Sequence, residues 1–69
     1  MQVAPLLALS PARRGNALRH WLRAALPTPV PETLVRRLVD ELPSTRHGRW
    51  PAPQGELQLR RGLLAWCPA

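Results

Sequence analysis

Leu18, Trp21, Leu22 and Ala25 fall at i, i+3, i+4 and i+7, the spacing that draws one apolar stripe along a helix. Ser10 suits an N-cap and Pro11 the first helical position, so a helix is predicted from about Pro11 to Ala25. With about 100° between successive residues, Arg13, Asn16, Arg19, His20 and Arg23 lie on the other side, and Gly15 weakens the helix by about 1 kcal/mol relative to Ala. Ahead of it, Val3 to Ala8 predicts a short first helix with Pro5 tolerated in the opening turn. Pro27, Pro29 and Pro31 stiffen the next connector, since each fixes its own φ and pushes the preceding residue out of the helical region. A further helix is predicted over Pro31–Leu42, where Leu34, Val35, Leu38 and Leu42 repeat with helical spacing and Glu32 complements the dipole.

After Pro43 the period changes. Ser44 to Gly48 reads as a loop, followed by a brief extended segment near Arg49-Trp50 that Pro51 and Pro53 confine to a sheet edge. Gly55 to Arg60 alternates polar and apolar, Arg61-Gly62 can make a tight turn, and Leu63 to Cys67 can return as the partner strand. The expected fold is α+β, with two or three helices followed by a small antiparallel sheet of two or three strands. Neither internal repeats nor low-complexity tracts interrupt it.

At 69 residues there is room for one domain, residues 1–69, with a modest core. The apolar pattern begins at Val3 and persists to Trp66, as expected of a domain cut from a longer protein. Ten basic residues against four acidic give a formal charge of +6, which points to a polyanionic partner. All ten are arginine, whose planar fork grips phosphate bidentately. Cys67 stands alone, so no intramolecular disulfide can form. No apolar run approaches the roughly 20 residues of a membrane span, and no secretion signal is visible; a soluble, cytoplasmic protein with no membrane partner is expected.

The run Val3-Ala4-Pro5-Leu6-Leu7-Ala8-Leu9-Ser10, then Ala12-Arg13-Arg14 and Arg19-His20-Trp21-Leu22, resembles the domain that follows the catalytic domain in bacterial tRNA(Ile)-lysidine synthases. Leu34-Val35-Arg36 is similar to that family's second helix, and Gly55-Glu56-Leu57 through Arg61-Gly62 to Leu64 to its closing hairpin. Two stretches depart from the pattern. Leu42 to His47 replaces an acidic, alanine-containing stretch, and Gln58-Leu59-Arg60 stands where the family often has Arg-Arg-Tyr, so basic contacts do not transfer to Gln58 or Leu59. The resemblance implies a parent ligase that uses ATP to couple lysine to the wobble cytidine of isoleucine tRNA. It implies for this segment a substrate-binding domain that orients tRNA for a catalytic domain of the same parent chain. The Gly-rich pyrophosphate loop of that chemistry is not in this sequence, so no cofactor is assigned to the segment itself.

The candidate tRNA-binding residues are Arg13, Arg19 and Arg23, whose helical face carries no acidic residue at i±3 or i±4, together with Arg60 and Arg61 at the hairpin. Arg14 falls within the apolar arc and is expected along the core or paired with Asp40, Glu41 or Glu56. Arg36 and Arg37 are expected to pair with Asp40 and Glu41, four residues on. Trp21 and Trp66 are expected in the core, leaving Trp50 as the aromatic with the best claim to exposure. His20, His47 and Cys67 lack the paired spacing of a zinc site and the accompanying motifs of a nucleophile, so neither metal nor catalysis is assigned. The competing reading is a structural interaction domain that docks onto a catalytic partner without touching RNA. A DNA-binding helix-turn-helix is disfavoured because the proline-rich connector replaces the usual short turn.

Overall fold

The computed structural model describes residues 1–69. Helix α1 spans Val3–Leu7, α2 Pro11–Ala25 and α3 Glu32–Glu41; a 3₁₀ turn over Leu42–Ser44 leads into strands β1 (Gly48–Ala52), β2 (Gly55–Arg60) and β3 (Leu63–Pro68). The α+β order expected from the sequence is the one observed. At the head of α2 the Ser10 hydroxyl accepts the Arg13 N–H at 3.4 Å, with Pro11 at the position where a missing N–H costs nothing. Leu26 leaves that helix in an extended conformation, as the prolines behind it require. Pro31 is extended too and caps α3 rather than opening it, so that helix begins one residue later than its spacing predicts. Pro43 tightens the end of α3 into the 3₁₀ turn, where the Thr45 hydroxyl donates to the Glu41 carbonyl at 2.7 Å.

The sheet is an antiparallel meander in the order β1-β2-β3, so the proline-bearing β1 is at an edge. Pro53-Gln54 joins β1 to β2, with Gln54 at φ 61° in the left-handed region. Arg61 and Gly62, at φ 50° and 76°, join β2 to β3. Positive φ at both corners is the signature of the primed turn that matches the twist of its strands.

The alternation along β2 buries Leu57 and Leu59 and turns Glu56, Gln58 and Arg60 outward. Register carries the same division across the sheet, since Leu57 faces Trp50 and Trp66, while Gln58 faces Arg49 and Ala65. The inner face joins the helices in one cluster of 13 buried side chains, among them Leu18 and Leu22 of α2, Leu34, Val35 and Leu38 of α3, and Trp50, Leu57 and Leu64 of the sheet. The chain's beginning closes onto its end: Leu64 N–H donates to the Met1 carbonyl at 2.8 Å and Val3 N–H to the Gly62 carbonyl at 2.9 Å, making Gln2 and Leu63 an antiparallel bridge.

Trp50 corrects the expectation of an exposed aromatic. It is 2 % exposed, because its register opposite Leu57 points it inward, and its Nε1–H donates to the Glu41 carboxylate at 3.3 Å. Trp21 and Trp66 are half-buried against the core.

Candidate nucleic-acid interface

The ten arginines divide by what already holds them. Arg14 reaches back from α2 and donates to three carbonyls, those of Leu9 at 3.1 Å, Val39 at 3.3 Å and Leu7 at 3.4 Å. Its partners are therefore backbone oxygens and not Asp40, Glu41 or Glu56. The carbonyls at the end of α1 and late in α3 carry partial negative charge, and a half-buried fork satisfies both elements at once.

Arg19 is ion-paired across the helix pair. Its Nε donates to both carboxylate oxygens of Glu32, at 3.0 and 3.1 Å, its Nη2 meets Oε1 of the same group, and Nη1 donates to Asn16 Oδ1 at 3.0 Å. Hydrogen bonding to Arg19 holds the Glu32 carboxyl below its ordinary range, with the charges of Arg19, Arg36 and Arg23 acting in the same sense; the Arg19 guanidinium is raised in return. Arg37 pairs with Glu41 within α3 at 2.9 Å, as its spacing predicts. Arg36 does not form the matching pair with Asp40. The acid whose charge it influences is Glu32, on the preceding turn.

Arg13, Arg23, Arg36, Arg46, Arg49, Arg60 and Arg61 are exposed and make no side-chain hydrogen bond or ion pair. The expected site residues thus fall into two places. Arg13, Arg19 and Arg23 share α2, with Arg19 already engaged. Arg60 and Arg61 sit at the far end of the β2–β3 hairpin, beside residues that sequence reasoning did not single out. One concave surface there is lined by His47, Gly48, Arg49, Gln58, Leu59 and Arg60. Its neighbour carries Arg46, His47 and Arg61 above an apolar floor that includes Leu42 and Leu59. The only signal for Arg49 in the sequence was its place in a strand whose partner was not fixed by periodicity.

No group of three or more His, Cys, Asp or Glu side chains is placed to hold a metal ion. No helix is long and apolar enough to cross a membrane.

A model of the TilS substrate binding domain matches residues 1–65. The chain belongs to this family. It is therefore a substrate-binding domain of tRNA(Ile)-lysidine synthase, and its role lies in tRNA processing. No curated protein and no solved structure matches the chain. In this TilS substrate binding domain, the match takes in all three helices, β1, β2 and the first part of β3, so both sets of unpaired arginines belong to the family's region.

Proposed function

We propose that this TilS domain contacts tRNA directly through its arginines and positions it for a catalytic domain elsewhere in the parent enzyme. The observation that carries the reading is the surplus of unpaired guanidinium groups on a domain of a substrate-binding family. Arg13, Arg23, Arg60 and Arg61 are exposed and free to replace counterions on a phosphate backbone, and Arg19 joins them if Glu32 releases it. Positioning is the whole of its mechanism. Holding the tRNA in one pose turns an encounter between enzyme and a flexible polyanion into a reaction within a complex. ATP and lysine are substrates of the catalytic domain in this reading, isoleucine tRNA is the bound partner, and the cytoplasm is where they meet.

Binding of the chain to isoleucine tRNA and to an unrelated tRNA over a salt series tests it. Three phosphate contacts give a slope of roughly −2 to −3 in log affinity against log salt. Equal, salt-sensitive binding of both makes the domain an electrostatic handle, whereas preference for isoleucine tRNA puts identity reading here. Absence of binding at low salt rejects direct contact and favours docking onto the catalytic domain.

A further inference from the structure

The positive charge of this molecule is distributed unevenly once its ion pairs are drawn. Around α2 and α3 the cations have acids among them: Arg19 is bonded to Glu32, and Arg19, Arg36 and Asp40 line one groove between the helices. At the hairpin end the cations make no ion pair, although Glu56 is one of the two diagonal neighbours of Arg49 on the outer face. None of the four acidic side chains lines either concave surface that meets at His47. Glu41 is turned to Arg37 and Trp50, and Glu56 is held by Gln58 Nε2 at 2.9 Å and lines a separate hollow with Pro51 and Cys67.

The geometry points to the cleft between Arg49 and Arg60, flanked by His47 and extended by Arg46 and Arg61, as the principal phosphate-binding site for RNA on this domain. This rests on the tRNA-contact reading above and relocates its centre from α2 to the sheet. Arg49 is paired in register with Gln58, and Arg60 is two residues beyond Gln58 on the same face. Diagonal neighbours of this kind stand about 7–8 Å apart, a span from which two guanidinium forks can close on one phosphodiester. Both stand on strands, so little backbone freedom is lost on binding. Their support is firm behind as well. A Cβ on Gly48 would lie 2.9 Å from the Trp50 ring and 3.0 Å from the Thr45 methyl, so the chain passes close over a tryptophan that is itself tied to Glu41.

The hairpin turn continues the run of cations. Arg61 occupies the first corner at φ 50°, a left-handed conformation that asparagine or glycine adopts far more readily. Backbone preference alone would not choose arginine there. Arg61 borders the same run of cations through His47, so its side chain is placed to extend the site.

The test compares variants of this chain for tRNA binding over a salt series, with folding followed by circular dichroism. Arg49→Gln/Arg60→Gln removes two exposed, unpartnered side chains and is expected to fold normally. It should lose at least tenfold in affinity at moderate salt and flatten the salt slope by about 1.5. Arg13→Gln/Arg23→Gln should lose less than about threefold, corresponding to a loss of about one phosphate contact or fewer. Arg61→Asn gives a signature that a purely structural residue would not: thermal stability unchanged or raised, affinity lowered. Binding by the unaltered chain with no loss in the Arg49/Arg60 variant, or a larger loss in the Arg13/Arg23 variant, overturns the sheet site while leaving direct tRNA contact intact. Failure of the unaltered chain to bind tRNA even at low salt overturns both. Competition by poly-glutamate as effective per charge as tRNA overturns the phosphodiester assignment and indicates an acidic protein segment instead.

Discussion

Arg14 and Arg19 are five residues apart on one helix and have opposite surroundings. Arg14 is a tie between the ends of α1 and α3, and its removal leaves three carbonyls without their donors. Arg14→Met is expected to destabilise the domain by about 2 kcal/mol, read as a lower urea midpoint with no change in slope. Arg19 is tied to Glu32 near the surface, where water screens the pair. The carboxyls of Glu32 and Glu41 are both held below their ordinary range by their arginine partners. The stability they contribute is therefore present above the unfolded-state value and is lost as pH falls through the lower folded value. Thermal melts from neutral pH to about 3 at low salt should show a falling melting temperature, and Glu32→Gln should remove part of that fall. A fall of equal size in the variant would mean that the pair adds no pH-dependent stability. Residue spacing could reveal Arg37–Glu41 because both stand on one helix. It could not reveal Arg19–Glu32, because their meeting depends on the angle that the proline connector sets between two helices.

Among the elements, the helices were legible to within a residue because cap, proline and apolar period all agree at their ends. The hairpin was legible from alternation and the Arg61-Gly62 turn. Strand β1 was visible only as an extended edge segment, and the inward aim of Trp50 was not. In a five-residue strand containing a proline, face is decided by register against β2. That register also puts Arg49 and Arg60 on one face of the sheet, a placement the sequence alone does not reveal. Two glycines, one in β2 and one in the turn after it, answer different demands. A Cβ on Gly55 would collide with the Cys67 carbonyl oxygen and approach Pro68 Cα to 3.0 Å, so both strands would have to part. Gly62 has open space around it and only its left-handed φ to protect. Gly55→Ala should cost about 3 kcal/mol and Gly62→Ala about 1 kcal/mol, an order that denaturant titration of the two variants checks.

For the molecule as a whole, a single cluster of 13 side chains supports every element. A domain of this length has a total stability of only about 3–10 kcal/mol, and truncating one fully buried leucine costs about 2–5 kcal/mol. Leu57→Ala, at the centre of the sheet's inner face, should consequently leave a large unfolded fraction at 37 °C by circular dichroism. The unpaired arginines add nothing to that core, so charge variants at the hairpin end and core variants should act on separate measurements, affinity in one case and folding in the other.

The bridge between Gln2 and Leu63 sets the order of events when the chain is made. During synthesis of this segment, Met1 to Val3 are obliged to wait for Gly62 to Leu64. Helix α1 has no strand to lie beside until Leu64 has cleared the exit tunnel, and the leucines of α2 and α3 stay within reach of chaperones for most of synthesis. Closure is expected late, once the β2–β3 hairpin forms, captures Met1 to Val3 and seals the core. The register that places Arg49 and Arg60 on one face belongs to β1 and β2, so this cleft needs the chain only as far as Arg60, ahead of the strand that captures Met1 to Val3.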